Sequence, residues 1–384
     1  MALKFIPGIE LSLTVATVRT RSERAEFIEL PYKLHGRNPA FVPPLISEVK
    51  AALDTESNPF YKHAEIELFL ARIDGIAVGR IAAIIDHNYI ETIKLLHGQF
   101  GFFESIDDID VAHALFNTAS AWLRRAKMRK MLGPTNPSMN DEIGVLTDAF
   151  DEPPVIKMVW NPSYYPALYE NSVFDKAKDI YAYHMDKDEV SERLIKLGEV
   201  IVKRAKVTFR HPNMKKFDKE IETFREIYNS AWSQNWGFVP WTADEFKHVA
   251  KGIKQVLDPN LVLIAEDEGR PVAFSLALPD INIALKKLRN GKLFPFGLMK
   301  LLWYSRKIHS CRVVILGVLK EYRNRGIDTA LYYETFRIGT EKGYHEAEMS
   351  WILEDNEPMN RALQMMGAKK YKTYRLYERE LRGL

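Results

Sequence analysis

VVILGVLKEYRNRGIDTALYYETF, residues 313–336, is the stretch whose reading decides the fold. Its first six residues form an apolar run rich in β-branched side chains, which predicts a strand. Glu321, Tyr322, Arg323, Asn324, Arg325 and Gly326 turn the chain, and from Ile327, Asp328 and Thr329 the spacing predicts a helix to about Glu341, closed by Lys342 and Gly343. A strand that passes through a glycine-containing basic turn into a helix gathers unpaired backbone N–H groups and a positive helix terminus at one point. Such a point suits phosphate. A second β-rich run covers 347–353 and ends in Glu354, Asp355 and Asn356; a helix over 359–366, then Gly367, then a strand over 370–378 complete the chain.

This order of elements, with Arg323-x-x-Gly326 at the turn, resembles the coenzyme-binding core of the GCN5-related N-acetyltransferase (GNAT) superfamily. That family's turn reads Gln/Arg-x-x-Gly-x-Gly/Ala, and Asp328 stands at its last position here. The resemblance implies an α+β (mixed α/β) fold in which a central mixed, largely antiparallel sheet is flanked by helices. It implies acetyl-CoA, or another acyl-CoA, as cofactor, held by Val318, Leu319, Lys320, Arg323, Asn324, Arg325, Gly326, Ile327, Asp328 and Thr329, with Asn356 as a further contact. It also implies direct attack of an amine on the thioester, which requires a base, a donor for the oxyanion and a proton for the leaving thiolate. Glu354, Asp355 and Glu321 are the candidate bases, and the N–H groups of Val318, Leu319 and Lys320 the candidate oxyanion donors. Where family members carry a proton-donating tyrosine, four residues before Gly367, this chain has Leu363; Tyr371, Tyr374 and Tyr377 on the last strand are the substitutes, with Tyr371 taken as the catalytic candidate.

The whole chain has 384 residues, 46% hydrophobic and 27% charged, which suits two globular domains better than one. A net charge of +3 implies no global polyanion partner, so a basic patch must be local. The single cysteine, Cys311, allows no intrachain disulfide and reads as a small core hydrophobe in a reducing compartment. No apolar run is long enough to span a membrane, and Pro7 and Glu10 interrupt the first eleven residues too early for a signal peptide, so a cytoplasmic protein is expected. No metal is expected.

The first part of the chain predicts a strand over 13–18, a helix over 22–34 with Ser22 as N-cap, and a hairpin of strands 66–73 and 77–85 around Asp74 and Gly75. A strand over 98–104 and a helix over 111–127 follow. A second hairpin turns at Glu268 and Gly269, and the two hairpin glycines are 269 − 75 = 194 residues apart. The Lys/Tyr-rich runs 173–183 and 367–377 align at the same offset, since 377 − 183 = 194. Two landmarks at one offset predict tandem GNAT-like domains, 1–186 and 187–384, the second with a basic helical insertion at 281–312. At the turn matching the phosphate site, the first copy carries Glu104, Asp107, Asp108 and Asp110, whose charge opposes a pyrophosphate. The first domain is therefore expected to lack a cofactor site.

Asn235 and Trp236, in an aromatic segment after a helix, are the candidate acceptor-site residues for a small-molecule amine. Residues 281–320 contain no Asp or Glu, while Lys286, Lys287, Arg289, Lys292, Lys300, Arg306, Lys307, Arg312 and Lys320 accumulate among apolar residues. That segment reads as an amphipathic insertion with a basic face, or as a surface for an acidic acceptor, a membrane or RNA. A tandem fold with a helical arm also resembles the Fem-type aminoacyl transferases, which implies aminoacyl-tRNA as an alternative donor. A non-catalytic acyl-CoA-binding protein is the third reading.

Overall fold

The computed structural model describes residues 12–381; the eleven N-terminal residues considered for a signal peptide, and residues 382–384, lie outside them. The first half runs β1 (Leu13–Thr17), α1 (Arg21–His35), α2 (Ile46–Ala52), β2 (Ala64–Ile73), β3 (Ile76–Asp86), α3 (His87–Ile93), β4 (His97–Ser105), α4 (Ile109–Arg125) and β5 (Lys130–Gly133). Three two-residue strands follow, β6 (Thr135–Asn136), β7 (Glu142–Ile143) and β8 (Val145–Leu146), then α5 (Tyr165–Glu170) and the long β9 (Asp175–Asp186). The second half repeats the plan with α6 (Glu192–Ala205), β10 (Thr208–Arg210), α7 (Phe217–Trp232), α8 (Ala243–Ile253), β11 (Val262–Asp267) and β12 (Arg270–Pro279). It continues through α9 (Asn282–Leu285), α10 (Gly297–Ser305), β13 (Ser310–Val318), α11 (Ile327–Glu341), β14 (Glu346–Leu353), α12 (Glu357–Met365) and β15 (Lys369–Glu380).

Thirteen of the fifteen described strands form one mixed, mostly antiparallel sheet in the order β1-β2-β3-β4-β5-β15-β9-β14-β13-β12-β11-β10, with β8 beside β15, while β6 and β7 pair separately. The two halves exchange their last strands: β9 pairs with β14 of the second half, and β15 pairs with β5 of the first. At the centre, β9 and β15 pair antiparallel with Tyr374 opposite Ile180, and 374 − 180 = 194, the repeat offset. A residue paired with its own repeat mate marks a local two-fold axis.

Both hairpins turn through left-handed pairs, Asp74 and Gly75 (φ 49° and 82°) and Glu268 and Gly269 (φ 50° and 81°), as two-residue hairpins of this hand require. The N-cap of α1 is Thr20 rather than Ser22. Thr20 accepts from the Glu23 N–H while the Glu23 carboxylate accepts from the Thr20 N–H, a reciprocal cap that Ser22 is too far along to make. Helix α4 packs its apolar face (Val111, Leu115, Phe116, Ala119, Leu123) on β2 and β3, while α1 covers the other face with Phe27 and Leu30. The insertion ends sooner than the expected 312, because Ser310, Cys311 and Arg312 already belong to β13. Leu285 and Leu288 anchor it on Val42 and Leu45 of the first half.

Candidate functional site

Strands β13 and β14 run parallel and pair only from Ser310–Glu346 to Val313–Met349, although β13 continues to Val318 and β14 to Leu353. Beyond that rung they part into a V. The Leu319 N–H donates to Val272 O at 3.0 Å, so the alternation of the β12–β13 ladder turns the polar backbone of Leu316 and Val318 toward the V. Leu319 is thereby committed, and of the three expected oxyanion donors it is the one already paired. Gly317 lets Trp232 of α7 lie on the strand: a Cβ there would sit 2.4 Å from the indole ring.

Helix α11 starts at the mouth of the V. Its N-cap is Gly326 at φ 75°, and no side chain caps its first turn. The N–H groups of Ile327, Asp328 and Thr329 therefore stand at a positive helix end with no side chain capping them, although the exposed Asp328 adds one carboxylate to the first turn. Lys320, Arg323, Asn324, Arg325 and Asp328 are exposed around this point. Asn324 takes φ 62°, Arg323 reaches Ala231 O at 2.5 Å, and Arg325 lies over the Tyr322 ring and 3.8 Å from Asp267.

In the first half both features are filled by the chain itself. Asp108 caps α4, accepting from the N–H groups of Asp110 and Val111 at 2.9 and 3.3 Å. Glu104 is not free at a phosphate position; it is half-buried against His35, Arg80 and Tyr165. The gap between β4 and β5 holds residues 135 and 136: Asn136 accepts from the Phe102 N–H at 2.6 Å, and a Cβ on Gly101 would fall 1.6 Å from Thr135 O.

At the apex of the second-half V the two faces of the sheet differ in kind. One face carries a buried polar cluster. Arg312 donates to Ser350 Oγ (2.8 Å) and, across the halves, to the carbonyls of Ile156 and Lys157 (3.0 and 2.8 Å). Glu348 lies 4.0 Å from Arg312, accepts from Ser350 Oγ at 2.5 Å, and takes a short hydrogen bond from the Tyr371 hydroxyl. Burial, then the Glu348 carboxylate, push the Tyr371 phenol far above its usual value, so it stays protonated. Burial lowers Lys372, which donates to Pro153 O at 2.7 Å, and pushes Asp280 up to about 6 although it accepts from two backbone N–H groups. The opposite face carries an apolar cavity of about 110 Å³ between α6, α11 and α12, lined among others by Leu194, Ile201, Val313, Phe336, Met349 and Leu363. Cys311 also lines it, its thiol pushed up to about 12 by burial and thus inert.

The other predicted residues lie as follows. Glu354 is held by Lys176 (2.6 Å) and the Asp179 N–H (3.1 Å), Asp355 by Lys178 (2.8 Å), and Glu321 by Arg270 (3.1 Å). Three of these partners belong to β9, the exchanged strand. Asn356 caps α12 by accepting from the Met359 N–H at 3.3 Å. Tyr377 stacks on Tyr169, and Tyr374 is wholly buried. Trp236, Trp351, Leu353 and Tyr371 all pack against one buried cluster, and Lys178 Nζ lies 5.6 Å over the Trp236 ring; Asn235, beside it, donates its N–H to Trp232 O. Sequence reasoning missed Glu348 and Asp280 and counted Arg312 with a basic face, whereas Arg312 is buried in β13. The signal was there: charged residues inside apolar β-rich runs, where burial demands a partner.

No family model matches the chain. Over 380 residues it is 38% identical to the bacterial ceramide synthase of Caulobacter vibrioides, covering 96% of this chain and 98% of that one. Over 375 residues it is 37% identical to protein YghO of Escherichia coli, covering 96% and 95%. Among solved structures, a tandem GNAT protein from the clavulanic acid biosynthesis pathway superposes with a TM-score of 0.58 at 10% identity, covering 97% of this chain and 100% of that one. A GCN5-related N-acetyltransferase from Sphaerobacter thermophilus gives 0.52 at 14%, covering 97% and 96%. The fold is therefore the tandem GNAT fold expected from the turn and the repeat. Among the described residues, no helix is long and apolar enough to cross a membrane.

Proposed function

Because this chain belongs to the family of the bacterial ceramide synthase and protein YghO, we propose that it is an N-acyltransferase moving a fatty acyl group from acyl-CoA to the amine of a long-chain amino alcohol. Ceramide formation is that reaction: an amine attacks a thioester, an amide forms, and a thiol leaves. The observation that carries the proposal is the uncapped first turn of α11 at the mouth of the V between β13 and β14. The N–H groups of residues 327–329, with Arg323, Arg325 and Lys320 around them, suit a coenzyme pyrophosphate. The V suits the pantetheine arm, with the Val318 N–H toward the thioester oxygen. That this is the single cofactor site is supported by the described residues of the first half, where the matching helix is capped by Asp108 and the matching gap holds Asn136.

At the apex the polar face supplies the proton chemistry. Glu348, to which the Tyr371 hydroxyl is bonded, takes the proton the amine gives up as the amide forms, and Tyr371 passes its own proton to the leaving thiolate and regains one from Glu348, so that the pair ends as it began; Trp236 borders the acceptor. The apolar cavity on the other face takes the first part of the fatty chain, a reason to prefer a longer acyl group to acetyl. One buried cysteine fits work in the cytoplasm.

The test combines a thermal shift with turnover. Acetyl-, octanoyl- and palmitoyl-CoA are titrated against the wild type and against Arg323→Ala with Gly326→Val, and each is then supplied with a long-chain amino alcohol. A ligand that binds only the folded state raises its melting temperature. The expected result is a shift that grows with acyl length, is lost in the variant, and is matched by amide formation. No shift with any thioester overturns the proposal. Acetyl transfer to a short amine would restore the shorter-chain reading, and salt-sensitive tRNA binding without a response to coenzyme A would favour the aminoacyl transferase reading.

A further inference from the structure

Among the described residues, thirteen large hydrophobic side chains are exposed, and six of them fall within residues 294–303: Phe294, Phe296, Leu298, Met299, Leu302 and Trp303. Leu298, Met299, Leu302 and Trp303 recur along one stripe of α10, so this helix turns its apolar face outward, the reverse of a surface helix in a globular protein. Exposed Lys287, Arg289, Lys292, Lys300, Arg306 and Lys307 surround the stripe, and no Asp or Glu occurs from 281 to 320. The arm is fixed in this attitude. Gly291 accepts from the Ile46 N–H at 3.0 Å, Asn282 donates to Pro154 O at 2.8 Å, and Leu285 and Leu288 are buried on Val42 and Leu45.

We propose that the α9–α10 arm is a docking face for an anionic lipid bilayer, with α10 lying in the headgroup layer and Phe296, Met299, Leu302 and Trp303 among the acyl chains. An outward apolar stripe on a segment that carries cations and no carboxylate of its own matches a bilayer, which offers hydrocarbon behind a negative surface and welcomes aromatic rings at the boundary. A second copy of the chain fits worse, because a two-fold contact would set these cations against their own images. RNA would satisfy the cations and stack on the rings, yet would leave Met299 and Leu302 bare in water. The arm leaves β12 and returns at the start of β13, the end of that strand away from the α11 turn. A water-borne coenzyme and a membrane-borne amine would thus approach from opposite ends, but docking does not depend on that reaction.

The test is flotation of the full chain with vesicles of phosphatidylcholine, with and without phosphatidylglycerol. Two variants accompany the wild type: Phe296→Ser with Met299→Ser and Trp303→Ser, and Lys292→Gln with Lys300→Gln and Lys307→Gln. All six residues are exposed, so unchanged circular dichroism is expected. The wild type should float with the anionic vesicles, less so at high salt, and each variant should lose about tenfold or more in partitioning. Trp303→Phe assigns the emission of one of seven tryptophans, which should shift to the blue on anionic vesicles only when Trp303 is present. Failure of the wild type to float, or flotation unchanged in the apolar variant, overturns the proposal. So does preferential binding of single-stranded RNA, or a wild-type dimer that the apolar variant splits.

Discussion

His63 stands where the first half meets α8 of the second, and replacing it by glutamine should remove a pH-dependent clasp. Its Nδ1 lies 3.1 Å from Asp86 of the first half; its Nε2 lies 3.2 Å from Glu245 of the second, an ion-pair contact without hydrogen-bond geometry. Burial works against the charged ring, but the two carboxylates outweigh it and raise His63 from 6.5 to about 9. At 1.36 kcal/mol per pH unit this is at most about 3 kcal/mol, and contact with solvent reduces it to about 2 kcal/mol. The folded value lies above the unfolded one, so the contribution is complete below about pH 6.5 and is lost as pH rises through about 9. Urea unfolding of wild type and His63→Gln near pH 6 and near pH 9.5 measures it: the variant should be weaker by about 2 kcal/mol at the lower pH and equal at the higher. A deficit that does not change with pH would refute the electrostatic account and leave only lost packing against Phe60.

Gly317→Ala places a methyl group against the Trp232 ring and should cost about 1–3 kcal/mol, read by chemical denaturation, with a red-shifted tryptophan emission. Arg312→Met strands the buried Glu348 and should cost about 3–5 kcal/mol, whereas Arg312→Met with Glu348→Gln should recover much of that loss, which a double-mutant cycle would measure. Tyr371→Phe removes the proposed proton donor and should lower kcat by about a hundredfold with little change in KM or in the thermal shift by acyl-CoA. An unchanged kcat would take Tyr371 out of the chemistry.

The strands, helices and hairpins around the α11 turn were legible because each rests on local chemistry. Gly75 and Gly269 supply left-handed turns, Lys342 and Gly343 end a helix, and the apolar run before the turn is a strand. The repeat offset was legible too, and the direct pairing of Ile180 with Tyr374 gives it a physical form. Partners distant in sequence were not. Nothing local in Glu354 or Asp355 tells that Lys176 and Lys178 of an exchanged strand will hold them. Nothing local in Asn136 tells that it will occupy the gap beside β4. The acidic cluster 104–110 was expected to oppose phosphate by charge; not legible was that Asp108 caps the helix and that Glu104 pairs with His35.

The exchange of β9 and β15 also bears on how a duplicated chain is kept. In an ordinary tandem array each copy folds without its neighbour. Here the second half's β14 has β9 as its partner, and the first half's β5 has β15. Loss of either half leaves the other with a missing strand and an open edge that invites aggregation. The first half is thus a lender of backbone: whatever its own cleft does, the strand it gives away is part of the neighbour's sheet.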